Sequence, residues 1–180
     1  MALTQITGDG LATSGLPTGT VLQVQYTQYT STFQQSITAD TDTVLGSAVL
    51  TLNITPRSTS SIIKLDCHIF HEWSDQNKAT ECVFFFFRDT TKLAHAQASS
   101  RRSGISISAL SHHSADGTST PETVYYSYFD APSTTSQITY KVGVSVNANS
   151  TLNVNRTGND TDNAQAERGI SFISATEIAG

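Results

Sequence analysis

Between residues 138 and 146 the large side chains Ile138, Tyr140, Val142, Val144 and Val146 take every second position, with Thr139, Lys141, Gly143 and Ser145 between them. A helix would scatter these residues around its circumference, whereas an extended strand gathers them on one face. The same alternation recurs at Leu50, Leu52 and Ile54, and at Ile63, Leu65, Cys67 and Ile69. Residues 124–129 read as another strand. The link at 130–136 opens with an Asp suited to an Asx turn and holds Pro132 at fixed φ, so 124–146 is predicted to be a hairpin. Residues 83–87 break the alternation, because four consecutive phenylalanines load both faces of a strand. Such a strand must be central in its sheet or meet another subunit, and Phe84, Phe85, Phe86 and Phe87 are therefore candidate interface residues. Weaker strand signals lie at 21–26, 104–110, 152–155 and 170–178.

No twelve-residue run free of turn signals carries apolar residues at helical spacing. Eight to ten short strands separated by turn clusters predict an all-β fold, an antiparallel β-sandwich of jelly-roll type, over residues 20–180. Residues 94–122 are expected to form one edge strand with two exposed loops. They carry His95, Arg101, Arg102, His112 and His113, and loops are where such folds keep function. Residues 1–19 stand apart, rich in glycine with only scattered apolar positions. They read either as a disordered tail or as an extended N-terminal arm, with Leu3, Ile6, Leu11 and Leu16 anchoring it to a partner.

Composition sharpens this picture. Of 180 residues, 50 are Ser or Thr while only 14% are charged, so hydroxyls and amides must cover the surface. Thr packs well on a pleated face and Ser competes with helical hydrogen bonds, which again favours strands. The net charge is −5 and the longest basic cluster is Arg101-Arg102, which argues against a nucleic-acid partner. No basic start with an apolar run marks a signal peptide, and nowhere do 18 apolar residues follow one another, so a soluble chain without a membrane partner is expected. The four Asn-x-Ser/Thr matches at Asn53, Asn149, Asn155 and Asn159 arise by chance in such a composition.

Candidate chemistry is sparse. A hairpin turning at 75–78 would set Cys67 opposite Phe86 and Cys82 opposite His71, out of register for a disulfide, so two buried thiols are expected. His68 and His71 fall on opposite faces of a strand, and His112-His113 are adjacent, so neither pair suits a metal. Residues 159–163 alternate oxygen ligands but lack the glycine and distal glutamate of a calcium loop, and read as a polar turn. Tyr126, Tyr128 and Tyr140 share faces with aliphatic neighbours and read as core. No Gly-x-Ser-x-Gly elbow or phosphate loop occurs, and Glu72, Glu81 and Glu122 form no evident catalytic pair. The expectation is a protein without enzymatic activity or cofactor.

Several stretches taken in order resemble virion structural proteins of tailed bacteriophages, of the tail-fibre and minor structural kind common in marine and cyanobacterial phages. They are MALTQITGDGL at the start, GLPTGTVLQV at 15–24, TPRSTSSIIKL at 55–65, FFFFRDTTKL at 84–93, YFDAPSTTSQITYKV at 128–142 and the terminal VNRTGNDTDNAQAERGISFISATEIAG. The resemblance implies a β-sandwich module, usually a homotrimer, attached to a capsid or tail protein of the same particle through its N-terminal end. Only a short arm precedes the sandwich here, which favours a capsid decoration, head fibre or short knob over a long fibre. A second expectation is a tail-fibre tip that recognises host surface glycans, with Arg101, Arg102, His112 and His113 as the receptor loop.

Overall fold

The computed structural model describes residues 16–46, 49–74, 81–94, 102–107, 119–164 and 166–180. It holds twelve antiparallel strands and, among the described residues, no helix. They are β1 (Val21–Tyr29), β2 (Phe33–Ile37), β3 (Thr43–Val44), β4 (Thr51–Ile54), β5 (Ile62–Trp73) and β6 (Val83–Arg88), then β7 (Thr91–Leu93), β8 (Ser106–Ile107), β9 (Glu122–Asp130), β10 (Ile138–Ser145), β11 (Ser150–Val154) and β12 (Ser171–Ile178).

Each sheet is built on one long central strand. In the larger sheet β5 pairs along one edge with β9, from Ile63↔Asp130 to His71↔Glu122. Its other edge is shared, β12 taking the first half and β11 the last three residues. β1 extends β12, and β2 extends β11. In the smaller sheet β10 pairs with β6 on one side and with β4 and β3 on the other, while β7 and β8 divide the far edge of β6. The alternating residues Ile63, Leu65, Cys67 and Ile69 of β5 meet Tyr140, Val142 and Val144 of β10 between the sheets, with Phe84, Phe86, Tyr126 and Ile173 in the same core. The expected antiparallel sandwich is the fold observed.

Both expected hairpins are instead crossings from one sheet to the other. β5 and β6 lie in different sheets, so Cys67 is flanked by Tyr126 and Ile173 and not by Phe86. Cys82 precedes β6 and is buried there. Both cysteines are nonetheless buried free thiols, and burial pushes each thiol pKa up, which keeps the sulfur protonated. Likewise β9 pairs with β5 while β10 pairs with β6. The physical reason is visible at Asp130, which turns into the gap between the sheets instead of starting a tight turn. Arg88 Nη1 donates to its two oxygens at 2.8 and 3.1 Å, and the Tyr140 hydroxyl donates at 2.6 Å. One buried carboxylate thus ties β9 to both long strands of the opposite sheet.

The four phenylalanines of β6 do lie on a strand paired along both edges. Phe84 and Phe86 point into the core, and Phe85 and Phe87 point outward. Phe85 is nevertheless wholly covered by its own chain. The Lys92 ammonium sits 4.1 Å from its ring centre, Phe87 meets it edge-on at 5.4 Å, and Gly143 beneath it has no Cβ. The cover that the sequence sought in another subunit is supplied by these three residues at Phe85, and Phe87 remains half-buried.

Candidate functional site

The sandwich has two chemically different poles. At one, the chain enters β1 beside its exit from β12: Gly19 N donates to Ala179 O, and Ala179 N to Thr20 O, both at 2.8 Å. The buried Glu177 carboxylate holds this end together. It accepts from Gln23 Nε2, Arg57 N and Ser61 Oγ, each at 2.6 Å, so the 55–61 loop is pinned against β1 and β12. Leu16, half-buried, lines a cleft of about 260 Å³ here with Leu22, Arg57, Ser60 and Ala179. Of the four arm anchors named from sequence, Leu16 is placed at this pole; Leu3, Ile6 and Leu11 lie outside the described residues.

The opposite pole is reached after the twelve residues of β5, roughly 35–40 Å away at strand rise. There the buried Glu72 carboxylate accepts from Thr120 N at 2.9 Å and Gly158 N at 2.7 Å. Arg102 pairs with Asp40 and with Glu81, accepted by the Glu81 carbonyl at 3.2 Å and its carboxylate at 3.4 Å. Ile107, opposite Val83, and Thr120 therefore bring both flanks of the 108–118 stretch to this pole. Arg102 itself is committed to internal ion pairs, with a side chain only 16% exposed. Arg101, His112 and His113 lie outside the described residues, as does His95.

His71 is buried beside the Phe84 ring, 5.2 Å between centroids, while His68 faces outward, as the strand period requires. Burial pushes the His71 imidazole down from its ordinary 6.5 to about 4, so it stays neutral. In the 156–168 segment, Asp160 is held between Arg156, at 3.4 Å, and Arg168, which fits the expected polar turn. Among the described residues no group of three or more His, Cys, Asp or Glu is arranged to hold a metal, and no helix is long and apolar enough to cross a membrane.

Sequence reasoning missed the outer face of the larger sheet. Registration puts Tyr26, Ser174, Asp66 and Ser127 in one outward row, flanked by rows containing Phe172, His68 and Tyr125 on one side and Val24, Lys64 and Phe129 on the other. Tyr26 is 73% exposed, Phe129 60% and Tyr125 59%. Asp66 accepts from Tyr125 OH at 2.9 Å, Ser127 Oγ at 2.7 Å and Lys64 Nζ at 2.9 Å. Burial opposes its ionisation, but the hydrogen bonds from Lys64, Ser127 and Tyr125 outweigh it and leave the carboxyl below its usual range. His68 stacks on Phe172 at 5.8 Å. The signal was present in the alternation itself: if Val124, Tyr126 and Tyr128 face inward, then Tyr125, Ser127 and Phe129 face out.

Comparison with protein-family models returns no match, and no curated protein matches the chain.

Proposed function

We propose that this chain is a non-enzymatic structural protein displayed on the surface of a phage particle, held by residues 1–19 and exposing its far pole to solvent. The observation that carries the reading is the polarity of the sandwich: the chain before β1 leaves beside Ala179, and the flanks of the 108–118 stretch sit at the other end of β5. A module attached at one end and presenting the other needs this layout. The virion motifs named above, at 1–24, 55–65, 84–93, 128–142 and 154–180, supply the kind of particle. The buried polar groups add weight, since Glu72, Glu177 and Asp130 each fasten a loop or a sheet in place. The test is to add full-length chain and residues 20–180 to particles lacking this component, and to measure what sediments with them. The reading expects particle binding by the full chain alone; equal occupancy by both would overturn attachment through the arm.

A receptor-binding tip for host glycans is favoured by the same polarity, because the 108–118 part of its candidate loop starts and ends at the far pole. With Arg102 engaged by Asp40 and Glu81, recognition would fall to Arg101, His112 and His113. Binding to a glycan array that disappears in Arg101→Ala with His113→Ala would select this reading over decoration.

A further inference from the structure

The outer faces of the two sheets differ in kind. On the smaller sheet the outward positions of β4 and β10 include Thr51, Asn53, Thr139 and Lys141, and Phe85 is already covered from within the chain. On the larger sheet Val24, Tyr26, Tyr125 and Phe129 remain more than half exposed at outward strand positions, with Val21 56% exposed at the edge. Between them the polar groups at the centre of the face pair with one another. Asp66 takes Lys64, Tyr125 and Ser127 as donors, and His68 Nδ1 lies 3.2 Å from Ile170 O.

We infer that a second copy of this chain covers the outer face of the larger sheet. Three observations select that occupant. The first is area: an aromatic side chain offers roughly 150–250 Å² when fully uncovered, so Tyr26, Tyr125 and Phe129 at their fractional exposures, with Val21, Val24 and Ile170, present roughly 600 Å² of apolar surface. A standard interface takes about 800 Å² from each partner, so this patch supplies most of one side. The second is polar pairing at the centre of the face, since Asp66, Lys64, Tyr125 and Ser127 already bond to one another, which lowers the cost of covering them. A glycan would need those groups unengaged, and the aliphatic Val21 and Val24 offer it no ring to stack on. The third is charge: Lys64 and Asp66 neutralise each other, so two identical faces approach without net repulsion. Cyclic closure of copies around this face fits the virion reading, but the inference stands on the patch alone.

Sedimentation equilibrium of the full chain at micromolar concentration tests it. The expected mass is a multiple of 19.3 kDa, at least two copies. Tyr26→Glu combined with Phe129→Glu, both exposed positions, should weaken association at least 100-fold and leave a folded 19.3 kDa species with unchanged Trp73 emission. Val24→Lys provides a milder variant should the double change impair folding, with a tenfold loss expected. Ile107→Glu, 67% exposed beside the smaller sheet, should leave the mass unaltered. A monomeric parent protein, or a mass that survives the face variants, overturns the inference; a monomer whose tyrosine emission responds to added glycan would assign the face to sugar instead.

Discussion

Adding a single methyl group at Gly143 should destabilise the sandwich through the ring of Phe85. A Cβ built there lies 2.3 Å from Phe85 Cε2 and 2.8 Å from Phe87 Cε2, against about 3.5–4.0 Å for a normal carbon contact. The ring must retreat by more than an ångström, yet Lys92 sits 4.1 Å over its centre and Phe87 closes its edge. Overpacking of this sort costs about 1–3 kcal/mol, and a ring displaced into water forfeits burial of similar size. Alanine restricts the unfolded chain more than glycine and recovers about 0.4–1 kcal/mol. The net loss for Gly143→Ala is therefore about 1–2 kcal/mol, or a midpoint about 4 °C lower for a domain of this size. Urea unfolding followed by Trp73, the chain's single tryptophan and 1% exposed, reads this directly. In a Phe85→Ala background the same substitution should be neutral or slightly stabilising, giving a coupling of about 1–2 kcal/mol. An equal loss in both backgrounds, or none in either, would refute the account of how β6 covers its outer face.

His71, whose folded pKa of about 4 lies below its ordinary 6.5, favours the neutral folded state. Its contribution is complete above pH 6.5 and is lost as pH falls from there to about 4, worth about 3 kcal/mol. Urea midpoints of His71→Gln across that window should be flatter than those of the parent by that amount, and parallel curves would count against a buried neutral imidazole. Asp130→Ala strands the Tyr140 hydroxyl and Arg88 between the sheets, and should cost about 2–4 kcal/mol, allowing for the partial exposure of Arg88; a thermal midpoint within 2 °C of the parent would remove this tie from the account. Alkylation of the unfolded, unreduced protein should modify both Cys67 and Cys82 by mass, and quantitative protection would disprove the two-thiol assignment.

The periodicity of 138–146 was enough to locate β10, because every second side chain there is large and every one of them is buried. Pairing was not legible in the same way. Two strands that each bury one face can meet as a hairpin or as an arch across the core, and local alternation is identical in both cases. The choice at 130–137 rests on Asp130 finding Arg88, 42 residues earlier, and Tyr140. Glu72 and Glu177 were equally opaque, since a carboxylate reads as surface until its backbone donors are known. The outer aromatic face was legible but passed over, as Tyr125 and Phe129 belong to the same run as Tyr126, and bulk alone does not say which face is the core. Arg102, expected in the receptor loop, pairs with Asp40 and Glu81, contacts that no local pattern announces.

A cryo-EM reconstruction of the particle is the most direct measurement of the central claim, that the sandwich is mounted by one pole and presents the other. The account predicts density for the fold in several copies, with the Gly19 and Ala179 end against the capsid or tail, the Glu72 end outermost, and the larger sheets of neighbouring copies turned toward one another. Particles without this density, or with the sandwich mounted by the pole that carries Glu72 and Arg102, would contradict it.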